Sequence, residues 1–164
     1  MFREMRRKLQ QLPQEECERI LREGKTAVLA LAGDDGYPYA VPVNYVYDGG
    51  KIYFHCAKTG HKLDALRRCE KVSVCVVDRD DVAPARLATD YMSVIVFGRA
   101  RILDSDEEIY RAVEVFGLKY NPDREAVQRE IRREWDALCC VEITVDHMTG
   151  KEGKELARQR RERG

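Results

Sequence analysis

The residues best suited to chemistry lie in one continuous stretch, residues 41–62, with the sequence VPVNYVYDGGKIYFHCAKTGHK. Between residues 37 and 47 the odd positions are apolar or aromatic and most even positions are polar or proline, which is typical of a strand. Pro38 and Pro42 have no N–H to give to a neighbouring strand, so we expect this strand to lie at a sheet edge or to contain a bulge there. The open backbone groups beside Pro42 would suit a planar, hydrogen-bonding ligand, and an ordinary edge strand protected by proline is the alternative.

A tight turn and a helix start follow this strand. The sequence DGG at residues 48–50 predicts a hairpin turn, because glycine adopts the positive φ that such turns need. The returning strand, Lys51–Ala57, leads into the sequence KTGHK, in which Thr59 is the predicted N-cap of a short helix. A hydroxyl, free helix N–H groups and Lys62 together predict a phosphate site, and solvated lysines are the alternative.

Three histidines and six cysteines raise the question of metal or redox sites. His55, His61 and His147 lack the i,i+4 helical spacing and the companion carboxylates of a zinc hydrolase, so we predict no metal site. The cysteines show no CxxC spacing, which predicts reduced and mostly buried thiols. Cys56 is the exception, because it lies beside His55 and a thiol there suits either packing or redox chemistry.

The rest of the chain supplies the elements that would position this stretch, within a single domain of residues 1–164. We predict an N-terminal helix within residues 1–24, two helices between residues 105 and 135, and a charged C-terminal tail at 151–164 that forms a frayed helix. Strands are predicted at Thr26–Ala32, buried on both faces, and at 72–77, 91–103 and 140–145, with a bulge at Gly98 and a turn after residue 145. Residues 78–90 lack periodicity and predict an exposed loop. The pattern predicts a mainly β fold with flanking helices (α+β).

Composition argues against several classes of protein. Lys plus Arg and Asp plus Glu both number 29, so no long-range field favours nucleic acid or an anionic membrane. No run of about 18 apolar residues could span a bilayer, and the N-terminus has no hydrophobic signal core. We therefore predict a cytoplasmic protein without nucleic-acid or membrane partners.

Taken together, the motifs resemble the FMN-binding split β-barrel family of pyridoxamine 5'-phosphate oxidase, and within it the branch related to nitroimidazole-resistance (Nim) proteins. The resemblance rests on YPYAVPVNYVYD, IYFHCAKTGHKLDAL, YMSVIVFGRARI and HMTGK, in this order along the chain. It implies a split β-barrel that works as a homodimer and holds FMN at the subunit interface.

The resemblance also implies which residues hold FMN. By position they are Pro42, Val43, Asn44 and Tyr45 along the ring, His55, Cys56 and Ala57 in its neighbourhood, Thr59, His61 and Lys62 at the phosphate, and Trp135 and Lys151 across the dimer. His61 departs from the family pattern, because many relatives have an arginine there and a neutral imidazole is a weaker phosphate partner. From the residues alone, Trp135 is a core or interface anchor, and a solvated side chain is the alternative for Lys151.

The function that the resemblance implies is an FMN-dependent oxidoreductase with a small-molecule electron donor and an acceptor such as a nitroaromatic compound. His55 is the candidate catalytic residue, as a donor of a proton or hydrogen bond, and a structural histidine is its alternative. The alternative function is a non-catalytic flavin- or haem-binding protein, with His55, His61 or Cys56 as a conceivable haem ligand. Pyridoxamine phosphate oxidation itself ranks behind both, because the motifs are closer to the Nim branch.

Overall fold

The computed structural model describes residues 1–163, with seven antiparallel strands in one sheet and five helices around it. The helices are α1 Gln14–Glu23, α2 His61–Arg68, α3 Asp106–Tyr120, α4 Arg124–Glu134 and α5 Lys154–Arg163. The strands are β1 Thr26–Ala32, β2 Pro38–Asn44, β3 Val46–Asp48, β4 Lys51–Ala57, β5 Lys71–Ala83, β6 Ala88–Ile102 and β7 Leu138–Glu152. Gly164, the last residue of the predicted tail, lies outside the described residues. The predicted mainly β fold with flanking helices is confirmed.

The strand order, β2-β1-β5-β6-β7-β4-β3, puts β2 and β3 at opposite edges of the sheet, although only Tyr45 separates them in the chain. Because one residue spans less than about 4 Å, the sheet must curl until its two edges meet at Tyr45. β3 pairs with β4 only at residues 51–53, and β2 pairs only with β1. The barrel is therefore closed at Tyr45 and split between β2 and the second half of β4, as the predicted split β-barrel requires.

The two faces of the sheet differ in burial. Along β1, Leu29 and Leu31 point into the barrel and are buried, whereas Val28 is 42% exposed. The prediction that β1 is buried on both faces is therefore wrong, since an apolar strand fits an uncovered apolar face equally well. Ile95 and Phe97 of β6 are also 42% exposed on the side of the sheet that carries Val28. We call this side the outer face.

Residues 78–90, predicted as a loop, are mostly paired strand. β5 and β6 remain paired out to Ala83 and Ala88, so they form a hairpin arm that extends beyond the barrel. A register shift between Val77 and Arg79 marks its base. The loop prediction was wrong because both faces of the arm are exposed and charged, which removes the apolar alternation that identifies a strand.

β7 likewise runs further than predicted, through Glu152, so the predicted turn after residue 145 is strand. The predicted bulge at Gly98 is confirmed by a register shift between Phe97 and Gly98. A Cβ atom on Gly98 would lie 2.4 Å from the carbonyl oxygen of Thr144, so the close approach of β6 and β7 requires glycine.

The charged tail forms a docked helix. In α5, Arg160 pairs with Glu152 at 2.6 Å, and Arg161 donates a hydrogen bond of 3.1 Å to the carbonyl of Leu9. The predicted helix is therefore confirmed, and the prediction that it is frayed is wrong, because the N-terminal segment supplies a surface that composition could not reveal. The N-terminal helix itself begins at Gln14, after Pro13. Among the described residues, no helix is both long enough and apolar enough to cross a bilayer.

Candidate functional site

The split between β2 and β4, which we call the slot, is bounded by two strand edges that no strand of the described chain covers. Pro42 and Val43 lie along one edge, and His55 and Cys56 lie along the other. Backbone N–H and C=O groups at both edges are free to bond a ligand. The slot therefore suits a flat molecule with hydrogen-bonding groups on its rim.

The first turn of α2 contacts both edges of the slot. The His61 ring stacks on Tyr39 of β2, with ring centroids 4.1 Å apart. The Lys62 ammonium lies 5.5 Å from the centre of the Phe54 ring of β4. α2 thus closes one end of the slot with cationic or protonatable side chains.

This end of the slot carries free hydrogen-bond donors. Gly60, with a φ of 133°, takes the N-cap position of α2, so the predicted cap at Thr59 is wrong. No side chain caps the helix, which leaves the N–H groups of its first turn available. Within residues 1–163, Lys58, Thr59 and Lys62 form no ion pair or hydrogen bond with another side chain. Uncapped N–H groups and unpaired ammonium groups are the donors that a phosphate needs.

His61 has a competing partner. Its Nε2 atom lies 3.3 Å from a carboxylate oxygen of Asp34, which Arg68 also contacts at 2.6 Å. A protonated His61 is therefore already paired, and Lys62 is the stronger candidate for a phosphate. No sequence pattern marked Asp34, which lies in a turn, whereas Tyr39 is one of the apolar or aromatic residues at the odd positions of the predicted strand.

The predicted ring-binding residues of β2 differ in their surroundings. Pro42 is exposed on the outer face and Val43 is half-buried. The Asn44 side-chain amide donates to the carbonyl of Lys25 at 3.0 Å. Tyr45 is completely buried in the barrel, and no partner for its hydroxyl lies within the described chain. The side chains of Asn44 and Tyr45 therefore hold the corner, and only their backbone borders the slot.

The end of α3 fixes this corner. The Lys119 ammonium and the Tyr120 hydroxyl donate to the carbonyl of Tyr45 at 3.0 and 2.7 Å, and Lys119 also donates to the carbonyl of Gly24. Burial lowers the pKa of Lys119 to about 8. Neither residue was predictable as part of the site, because a lysine and a tyrosine at a helix end carry no signal of a long-range contact.

His55 points away from the barrel interior, toward the helices. Its ring meets Phe116 of α3 edge to face, with centroids 4.6 Å apart. It lines a cavity of about 480 Å³ between β4 and the α3–α4 pair, together with apolar side chains such as Val113 and Ile131. Burial, and then the charge of Lys62, lowers the pKa of His55, so the imidazole is neutral at pH 7.

The next two residues of β4 complete its edge. Cys56 is half-buried and lies directly opposite Cys139 of β7. Burial raises the pKa of the Cys56 thiol to about 11, so the thiol is protonated at neutral pH. Ala57 is exposed and pairs with Leu138 where β4 ends.

The last two predicted cofactor residues lie elsewhere in the same chain. Trp135 is half-buried in the apolar cluster of the α3–α4 pair, with its ring centroid 6.4 Å from that of Tyr110. Lys151 is in β7, and its ammonium lies 5.7 Å from the centre of the Tyr91 ring. Within one chain Lys151 therefore lies apart from the slot, whereas Trp135 lines a cavity together with Lys58 and Cys139 near the end of β4. Residues 1–163 contain no group of three or more His, Cys, Asp or Glu side chains arranged to hold a metal ion.

Comparison with known sequences gives a family. The profile of the family described as pyridoxamine 5'-phosphate oxidase matches residues 13–152, which include the slot and all seven strands. No curated protein matches the chain.

Comparison with solved structures gives the same fold. A candidate 5-nitroimidazole antibiotic resistance protein from Bacteroides thetaiotaomicron is 20% identical over 87% of this chain and 86% of its own, with a TM-score of 0.73. A FAD and heme binding protein from Mycobacterium smegmatis is 22% identical over 88% of this chain and 74% of its own, with a TM-score of 0.74. A FAD-binding protein from Mesorhizobium loti is 23% identical over 87% of this chain and 96% of its own, with a TM-score of 0.62.

Proposed function

This chain belongs to the pyridoxamine 5'-phosphate oxidase family, and from that premise we propose that it is an FMN-dependent oxidoreductase. The observation that carries the proposal is the position of α2. Its uncapped first turn lies at the end of a slot whose two edges offer unpaired backbone groups. A flat ring with a phosphate at one end matches this arrangement of donors.

The residues present fit FMN. The backbone of residues 42–45 and of His55 to Ala57 would bond the rim of the ring, and Lys62, Thr59 and the first N–H groups of α2 would hold the phosphate. FMN, when bound, supplies the electron transfer. The chain's own contribution is to orient the ring between the two edges and to exclude water from it. FMN is favoured over FAD because the donors are gathered at one end of the slot, as a single terminal phosphate requires.

We assign His55 the role of a hydrogen-bond or proton donor to the substrate. A neutral imidazole carries one N–H and one acceptor nitrogen, so it can donate a hydrogen bond through the N–H, or relay a proton by taking one up at the acceptor nitrogen as it gives up the other. Its cavity of about 480 Å³ is lined mainly by apolar side chains and falls in the size range of small-molecule sites. Nitroaromatic acceptors fit such a lining, and the structural likeness to the Bacteroides protein supports the choice.

The test of this function is the visible spectrum of freshly purified protein, followed by identification of the chromophore that acid releases. We expect a flavin spectrum and released FMN. Protein from which the flavin has been removed should take up added FMN at micromolar concentration. Released FAD would overturn the choice of FMN. A protein that is colourless and takes up no flavin would overturn the proposal as a whole.

We also propose that the protein is a homodimer joined through the outer face. Opposite residues across five strands, Pro42, Val28, Cys75, Ile95 and Thr149, form a mostly apolar row on this face. An exposed apolar surface of this kind is typical of an interface. Lys151 follows Thr149 on the same face of β7, so a partner packed there could bring its Lys151 toward the slot.

A charged residue in the centre of this row should separate the subunits. We expect Ile95→Glu to lower the mass measured by light scattering from twice the chain mass to the chain mass, because it buries an unpaired carboxylate in the interface. Val82→Glu, on the exposed hairpin arm, is the control and should leave the mass unchanged. A wild-type protein with the mass of one chain would contradict the dimer.

The second candidate function is binding of a flavin or haem without turnover. It is favoured by the position of His55 beside an apolar cavity, and by the FAD and heme binding protein among the similar structures. A Soret band in the purified protein would support it. Oxidation of NADH or NADPH with a quinone, nitroaromatic or oxygen acceptor would support the enzyme instead.

We propose a cytoplasmic location, in keeping with the six free cysteines.

A further inference from the structure

Cys56 and Cys139 are placed so that they can form a disulfide. They are direct partners in the antiparallel pairing of β4 with β7. Residues directly opposite in such a pair have Cα atoms about 4.5–5.5 Å apart, within the range of about 4.4–6.8 Å found across disulfides. Oxidation would therefore need little movement of the backbone.

One of the two cysteines, Cys139, lies beside a cavity, and 8% of its surface is exposed. Cys139 lines a cavity of about 400 Å³ together with Trp135 and side chains of both charges. Lys58 and Arg67 supply the positive charges, and Asp104 and Asp106 supply the negative ones. A small molecule that carries both carboxylate and ammonium groups is complementary to this wall.

The adjacent cysteine in β7, Cys140, has no cross-strand cysteine partner. Cys140 follows Cys139 in β7, is 1% exposed and pairs with His55 on the opposite side of the strand. Alternation along a strand keeps its thiol on the side of the α3–α4 cluster. Cys139 therefore has one cross-strand thiol partner, Cys56, and Cys140 provides a matched control.

We propose that Cys56 and Cys139 form a thiol–disulfide exchange site for small zwitterionic disulfides of the glutathione type. This activity goes beyond the proposed oxidoreductase and does not depend on flavin binding. Disulfides that form inside cells are usually catalytic or redox-sensing, and a cross-strand pair beside an open cavity suits that use.

The exchange runs in two balanced steps. The Cys139 thiolate attacks one sulfur of the incoming disulfide, which gives a mixed disulfide and releases one thiol that takes up the proton. The Cys56 thiolate then attacks the Cys139 sulfur, which closes the Cys56–Cys139 bond and releases the second thiol. The pair loses two electrons and two protons, and the small disulfide gains them.

The second step should accelerate with pH. Cys139 and the Lys62 ammonium are the titratable groups that face the Cys56 thiol from β7 and α2, and burial outweighs the effect of Lys62 on its pKa. Because the thiolate is the nucleophile and the pKa is about 11, the reactive fraction grows about tenfold per pH unit between pH 7 and pH 10.

The test is peptide mapping of the full-length protein after equilibration with oxidised glutathione and alkylation of the remaining thiols. We expect one bridge per chain, between Cys56 and Cys139, which dithiothreitol reverses. Cys139→Ala should abolish the bridge, and Cys140→Ala should retain it. Six alkylated thiols in the wild-type protein, or a bridge that survives Cys139→Ala, would overturn the proposal.

The ligand class is tested by rate. Lys58→Ala should slow oxidation by glutathione disulfide several-fold and leave oxidation by the uncharged disulfide of mercaptoethanol unchanged. If the wild-type protein and Lys58→Ala react with glutathione disulfide at equal rates, the assignment of the charged cavity as the binding site of the disulfide is overturned.

Discussion

Replacing Phe54 with alanine is expected to lower the free energy of unfolding by about 3–5 kcal/mol, the usual cost of truncating a buried phenylalanine. Phe54 is 2% exposed and belongs to the main apolar cluster inside the barrel. Strands on all sides limit how far the surroundings can collapse into the cavity that remains, which favours the upper part of this range. Equilibrium unfolding in urea measures the difference.

His55→Ala is the matched control for Phe54→Ala. The two residues are neighbours in β4, but His55 points out of the barrel. Its replacement should cost about 1 kcal/mol at most, because its main side-chain contact is one edge-to-face pair with Phe116. Equal losses in the two variants would contradict the assignment of the inner and outer sides of β4.

The second large effect is expected at the proposed phosphate site. Lys62→Ala should weaken FMN binding about 10–100-fold, since hydrogen bonds to charged groups contribute about 1.5–3 kcal/mol. Riboflavin has the same ring and no phosphate, so its affinity should change much less. Each flavin is titrated into the apo-protein, and the quenching of fluorescence is recorded. The two titrations give the two dissociation constants.

Arg67→Ala is the control for Lys62→Ala. Arg67 is also a cation of α2, but it lies more than one turn further along and pairs with Asp64 at 3.0 Å. Its removal should leave the preference for FMN over riboflavin intact. If Lys62→Ala instead weakens both flavins by the same factor, Lys62 does not contact the phosphate.

Much of the fold was predictable because it depends on local backbone chemistry. Gly49 and Gly50 have φ angles of 55° and 80°, as the predicted hairpin turn requires. β2 is an edge strand, as its prolines indicate. Ser105 caps α3, accepting a hydrogen bond from the Glu108 N–H at 3.4 Å. Each of these features is set by residues close together in sequence.

Features that depend on distant contacts were not predictable. The hairpin arm is held by pairing between β5 and β6, and its charged residues show no apolar period. The helix cap lies on Gly60 instead of Thr59, because the chain enters α2 with a φ of 133°, which glycine adopts readily. The ring contact between His61 and Tyr39 joins two elements whose proximity follows from the curl of the sheet.

The passage of the chain through Tyr45 has a consequence for the order of assembly. β2 and β3 are consecutive in sequence, yet β1 and β4 to β7 must all be paired before the two edges can meet. Closing the barrel therefore depends on contacts of long sequence separation, which form late and slowly. The slot exists only after that closure, so a ligand held there stabilises the assembled barrel and none of its parts alone. Ligand binding and closure of the barrel are therefore thermodynamically coupled.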